Sequence, residues 1–165
     1  MSHDDDSQAE MTINCAVLTI SDTRSAETDQ SGQLIKASLE AEEFSVTAYE
    51  IVKDEPNLII DQIKTFATKE QLQVIICNGG TGIAPQDTTY EALAQILEKT
   101  LPGFGELFRY LSYQEIGSRA IASRAIAGVY HQTLIFSLPG STKAVQLAME
   151  KIILPELSHL AKLVR

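Results

Sequence analysis

Short runs of apolar and β-branched residues alternate along this chain with stretches of helical periodicity, and that alternation narrows the fold sharply. Ile13–Ile20 is a continuous apolar run, the pattern of a strand covered on both faces. Phe44–Val52 and Leu72–Cys77 predict a second and third strand, and Thr133–Leu138 one more. Between them, Ser31–Glu42 places Leu34, Ile35, Ser38 and Leu39 on or near one helical face. Pro56–Thr68 predicts a helix with proline in its first turn. Thr88–Thr100 predicts another, opened by a capping-box pattern in Thr88-Thr89-Tyr90-Glu91. After Pro102-Gly103 the rhythm breaks: Gly105–Ile116 reads as helical, followed by Gly117 and the near-repeat of Ser118–Ala127. Ser141–Ile153 and Pro155–Leu163 predict the last helices. Strands alternating with helices predict an α/β fold with a mostly parallel sheet covered on both faces.

The chain has 165 residues, the size of one domain. Residues 1–11 are polar and charged and predict a disordered acidic tail, leaving 12–165 as the domain. The net charge of −9 comes with no cluster of Lys or Arg, which argues against nucleic-acid binding. Cys15 and Cys77 each sit inside an apolar run without a CxxC partner and predict buried free thiols, which suits a reducing compartment. No stretch approaches the roughly 20 apolar residues that cross a bilayer, and the acidic N-terminus is unlike a signal peptide. A cytoplasmic protein is expected, with no membrane partner.

In an open parallel sheet, ligands bind at the carboxyl ends of the strands. Ser21-Asp22-Thr23-Arg24 follows the first strand here, and Lys53-Asp54-Glu55 the second. Asn78-Gly79-Gly80-Thr81-Gly82, then Asp87, follow the third, and Pro139-Gly140-Ser141-Thr142-Lys143 follow the last. Right-handed crossovers bring all four ends to one edge. Three glycines in four residues let a backbone approach a ligand closely, and successive N–H groups in such a turn form an anion nest; a tight strand-to-helix turn also uses glycine. Ser141 is placed to cap the next helix, whose start attracts phosphate or carboxylate. Lys143 faces either a ligand or solvent. Asp87 either caps the next helix or, because the Thr88–Glu91 box already offers a cap, is left free to point elsewhere. Asp54 is either a turn residue or a partner of Asp87 in holding Mg²⁺, which takes one or two carboxylates plus ligand phosphates; Asp22 is a third acidic candidate. GxSxG, HExxH and paired CxxC motifs are absent, so nucleophilic triads and zinc hydrolysis have no support. His131 is expected in an exposed turn and His159 on a helix surface.

Asn78-GGTG-Ile83 through Asp87, joined to Ser137-LPGS-Thr142-Lys143, resembles the MoaB/Mog family of molybdenum-cofactor synthesis, related to the gephyrin and Cnx1 G domains. The similarity runs from Leu18–Asp22 to the last helix. The segments Pro102–Arg109, Leu111-Ser112, Glu115–Gly117 and Ser123–Gly128 resemble the MoaB branch. The resemblance implies a three-layer α/β/α fold with a mixed sheet, and a homotrimer or hexamer. It implies Mg²⁺-dependent transfer of AMP from ATP to the terminal phosphate of molybdopterin, with release of pyrophosphate. Non-catalytic molybdopterin binding in the same pathway, with other molybdenum-cofactor proteins as partners, is the alternative. By position, Asp54 and Asp87 match the family's essential acidic residues, expected to bind Mg²⁺ and order phosphates. Ser21, Asp22, Asn78, Gly79, Gly80, Thr81, Gly82, Pro139, Gly140, Ser141 and Lys143 are expected at the substrates. Arg124, ahead of Arg109 and Arg119, is the cation expected there. Gln86, Tyr90 and Ser137 depart from common family residues at their positions, while Asp54 keeps the aspartate that some MoaB proteins replace by glutamate.

Overall fold

The apolar runs set the sheet. In the computed structural model, which describes residues 12–68 and 72–165, β1 (Asn14–Ile20), β3 (Leu72–Asn78) and β6 (Thr133–Leu138) are buried along almost their whole length. With β2 (Ser45–Val52), β4 (Lys99–Thr100) and β5 (Ile126–Tyr130) they form one sheet in the order β2-β1-β3-β6-β5-β4. The pairs β1–β2, β1–β3 and β3–β6 are parallel, whereas β5–β6 and β4–β5 are antiparallel. The α/β class and the mostly parallel, mixed sheet are thus as expected. The acidic tail expected at 1–11 lies outside the described residues.

Side chains alternate across the sheet and divide the core in two. On one face Cys15, Val17, Val74, Ile76, Leu134 and Phe136 pack against α1 (Gln30–Ala41), α4 (Pro102–Ile116), α5 (Thr142–Ala148) and α6 (Leu154–Leu163). On the other, Ala16, Leu18, Ile75, Cys77 and Ile135 pack against α2 (Pro56–Thr68) and α3 (Thr89–Ile96). Phe104 contributes an edge-on contact to Phe136 at 5.2 Å between centroids, which anchors α4. Both cysteines are buried, and burial pushes each thiol up to about 12 because the thiolate loses its hydration. No helix among the described residues is long and apolar enough to cross a membrane.

Three segments differ from what their sequence patterns specify. The helix expected over Thr88–Thr100 stops at Ile96, and Lys99–Thr100 becomes an edge strand. The near-repeat Ser118–Ala127, to which the sequence pattern assigns no element, divides in two: a 3₁₀ segment covers Gly117–Ala122, and Ile126 already belongs to β5. The reason is pairing. Leu101 N–H donates to Ala127 O (2.8 Å) and Glu98 N–H to Val129 O (2.9 Å), so each segment satisfies the backbone of the other. Third, the helix expected over Ser141–Ile153 is α-helical only to Ala148 and widens to a π segment at Met149–Ile153. Pro155, four residues after Lys151, has no N–H to donate and its ring crowds the preceding turn, which favours the wider winding.

Candidate functional site

Because β1, β2, β3 and β6 run parallel, their carboxyl ends share one edge of the sheet, and the strand order reverses there between β1 and β3. Hydrogen bonds stitch the four following loops together. Ser21 N–H donates to Val52 O (2.9 Å), Asp54 N–H to Asp22 Oδ1 (3.0 Å) and Gly79 N–H to Leu138 O (2.9 Å). The expected convergence of these loops is what the structure contains.

Close approach makes the glycine turn possible. Gly79 has φ 105°, and a Cβ there would lie 2.2 Å from Ile20 O. Gly80 has φ 68°, and its Cβ would meet Thr89 Oγ1 at 2.3 Å and Asp54 Oδ2 at 2.6 Å. A Cβ on Gly82 would come within 2.6 Å of Asp87 Oδ2. The two carboxylates singled out in the sequence therefore both flank the turn. Asp54 Oδ1 accepts from Thr88 N–H (3.1 Å) and Thr88 Oγ1–H (2.7 Å), which leaves Oδ2 without a hydrogen bond among the described residues. Asp87 Oδ2 accepts from Ala84 N–H (3.0 Å). The capping box does not form: Thr88 turns to Asp54, and Glu91 pairs with Arg124 instead. Asp87 is free of the helix cap for a different reason from the one the sequence suggested.

The turn lines a cavity of about 350 Å³, with Gly80, Thr81, Gly82 and Asp87 on one side and Pro139, Gly140 and Ser141 on another. Apolar wall comes from Phe108, Ile116, Ala120 and Ala144. Ser123 also lines it, and its Oγ is buried without a partner among the described residues. The cavity continues past Ser141 into a groove of about 580 Å³ that includes Lys143. Ser141 caps α5 as expected, accepting from Ala144 N–H (3.2 Å). Ser21 uses its hydroxyl in its own turn, accepting from Thr23 and Arg24 N–H.

The arginines divide. Arg119 lines the cavity and has no hydrogen bond or ion pair among the described residues. Arg109 donates to Ala125 O (3.1 Å), away from this cavity. Arg124 lies behind the turn: its N–H donates to Thr81 O (2.9 Å), Nε to Gly82 O (2.9 Å) and Nη2 to Asp87 O (3.1 Å). Its guanidinium pairs with Glu91 and sits 5.2 Å from the centroid of the Tyr90 ring. That hydrogen bond holds the Glu91 carboxyl below its ordinary range.

Sequence reasoning missed a network behind the second turn. Arg24 Nη2 donates to Gly140 O (2.8 Å) and Nη1 to Asn78 Oδ1 (3.2 Å), with Asp29 Oδ1 at 3.5 Å. Asp29 is buried and accepts from Thr19 and Tyr49 hydroxyls, each at 2.5 Å, and from Gly32 N–H (3.0 Å). Asn78 is buried and donates from Nδ2 to Thr19 Oγ1 (2.9 Å). The available signal was Asp29 itself, an N-cap aspartate just ahead of α1.

Residues 16–159 match the family described as probable molybdopterin binding domain. Molybdenum cofactor biosynthesis protein B of Halalkalibacterium halodurans is 55% identical over 156 residues, covering 94% of this chain and 92% of that protein. The protein of the same name from Bacillus subtilis is 51% identical over 154 residues, covering 93% and 91%. A crystal structure of a molybdenum cofactor biosynthesis protein B superposes with a TM-score of 0.91 at 49% identity, over 95% of this chain and 98% of that one. The chain belongs to the MoaB/Mog family of molybdenum-cofactor biosynthesis proteins.

Proposed function

We propose that this chain acts in molybdenum-cofactor biosynthesis by transferring AMP from ATP to the terminal phosphate of molybdopterin. The observation that carries this reading is that Asp54 and Asp87 both lie against a glycine turn whose residues Gly80, Thr81 and Gly82 line the cavity. A phosphate oxygen of molybdopterin attacks the α-phosphorus of ATP, the bond to the β-phosphate oxygen breaks, and pyrophosphate leaves. Such a transfer asks the protein for alignment and charge stabilisation and requires no protein nucleophile. The apolar wall of Phe108, Ile116 and Ala120 suits the ring of a ligand whose phosphates lie on the amides.

The carboxylates fit Mg²⁺. Among the described residues Asp54 Oδ2 makes no hydrogen bond, Asp87 lies against the same turn, and no group of three or more potential ligands occurs. Two carboxylates with ligand phosphates completing the shell is the arrangement this cation accepts. Bound there, Mg²⁺ would neutralise charge developing on the phosphate chain. Asp54 is oriented by Thr88, and Asp87 by the Ala84 amide, so neither needs to reorganise. Arg119 and Lys143 supply the cations that face the ligand, and the ring-stacked Arg124 supports the turn. The family's homotrimer or hexamer and a cytosolic setting belong to the same proposal; the exposed apolar face of α4 and two free thiols support them.

The test is pyrophosphate release with ATP, Mg²⁺ and molybdopterin all present. Asp87→Asn and Asp54→Asn should each lower the rate on the order of a hundredfold or more. Unchanged turnover in Asp87→Asn would remove the mechanism. Molybdopterin binding without pyrophosphate release in the unsubstituted protein would mark a binding protein instead.

A further inference from the structure

Both turns at the cavity have their carbonyl groups tied back. Gly79 O accepts from Thr89 Oγ1–H (3.0 Å) and Gly80 O from Thr89 N–H (3.2 Å). Thr81 O and Gly82 O accept from the Arg124 backbone N–H and Nε, both at 2.9 Å. At the other turn, Gly140 O accepts from both Arg24 Nη2 (2.8 Å) and Ser31 Oγ (2.7 Å). None of Thr89, Arg124, Arg24 and Ser31 lines the cavity.

In a trans peptide the C=O of one residue points opposite to the N–H of the next, and the described residues contain no cis bond. Carbonyls held away from the cavity therefore turn the N–H groups of Gly80, Thr81, Gly82, Ile83 and Ser141 towards it. None of these five N–H groups has a hydrogen-bond partner among the described residues. Each guanidinium is also neutralised locally, Arg124 by Glu91 and Arg24 by Asp29. Their charge is matched on site, and what they contribute is the direction of peptide planes.

We propose that Arg24 and Arg124, with Ser31 and Thr89, are positioning residues that set the polarity of the cavity by holding carbonyl oxygens out and amide hydrogens in. This rests on the cavity taking a phosphate-bearing ligand, and it assigns the arginines a role through the backbone rather than as ligand contacts. A flipped peptide at either turn would present a carbonyl oxygen to the phosphate, replacing attraction by repulsion.

The probe is pyrophosphate without metal, titrated into deuterated, ¹⁵N-labelled full-length protein while the amide resonances are followed. In the unsubstituted protein the amides of Gly80, Thr81, Gly82, Ile83 and Ser141 should shift together and saturate. Arg124→Gln should abolish the response at Ile83, whose peptide is held by the side-chain Nε, and keep it at Ser141 and at Gly82, whose peptide is held by the main-chain N–H of residue 124. Arg24→Gln should abolish it at Ser141 and keep it at Ile83. Two variants that leave net charge unchanged separate direction from charge: Ser31→Ala should diminish the Ser141 response, and Thr89→Val that of Gly80. Each arginine change should weaken binding about tenfold, about 1.4 kcal/mol. Uniform loss at all five amides in both arginine variants, with the rest of the spectrum intact, would show direct charge contacts and overturn the proposal. So would silent Ser31→Ala and Thr89→Val, or amides that ignore pyrophosphate in the unsubstituted protein. A protein inactive in AMP transfer would still display the crosswise pattern, so failure of the transfer reaction and failure of this inference are distinguishable.

Discussion

Asp29 places a buried carboxylate under two hydroxyls, an amide and a guanidinium. Removing it strands the Thr19 and Tyr49 hydroxyls and leaves the Arg24 charge unmatched. Leaving a buried donor unsatisfied costs roughly 1–3 kcal/mol, so Asp29→Ala should lower stability by about 3 kcal/mol in chemical denaturation; a loss below about 1 kcal/mol would show that water replaces the network. Asp54 and Asp87 were legible in the sequence because the end-of-strand rule locates ligand sites from topology alone. Their surroundings were not. The capping pattern at Thr88 and Glu91 is local, and it is outcompeted by Arg124, 33 residues beyond Glu91, and by Asp54, 34 residues before Thr88. Pairings of that range are not carried in any window of adjacent residues.

At the level of elements, the parallel strands were readable from their continuous apolar runs, and Pro56–Thr68 and Thr133–Leu138 fall where their patterns predict. The antiparallel edge was hidden by its turn. β5 and β6 are joined through His131 and Gln132, with φ 46° and 63°, the sign pair of a type I′ turn. Asn-Gly ordinarily marks such a turn, and His-Gln gives no such signal. The two-residue β4 is held by backbone pairing across Gly128, where a Cβ would meet Lys99 O at 2.3 Å. Gly128→Val should therefore push β4 away while leaving the parallel strands in place. Hydrogen exchange checks this: protection should vanish at the Glu98 and Leu101 amides, which donate to Val129 and Ala127, and persist at β1 and β3. Equal loss of protection throughout would mean that the edge is integral to the core.

For the molecule as a whole, the two-sided sheet was foreseeable because helices that alternate with parallel strands have to cover both faces. Which side of α4 faces inward was not. Its sequence is apolar on two sides: Phe104 and Phe108 enter the core, while Leu107, Tyr110, Tyr113 and Ile116 are each more than half exposed. A lone exposed apolar residue is ordinary, but these four recur every three residues and follow one ridge that winds around the helix, a stripe inclined to its axis. The neighbouring Ile121 is 88% exposed. Covering this stripe with another copy of the chain would remove apolar surface from water and would set the contact beside the cavity, which Ile116 also lines. If the homotrimer or hexamer proposed above uses this face, placing charge at Tyr110 and Tyr113 forces desolvation of two carboxylates on association, a cost that burial of the remaining side chains does not offset. The Tyr110→Glu/Tyr113→Glu variant should then give a monomer mass in light scattering, with its circular dichroism unchanged because neither ring is buried in the fold. An unaltered oligomer would move the interface elsewhere and leave the stripe without a partner.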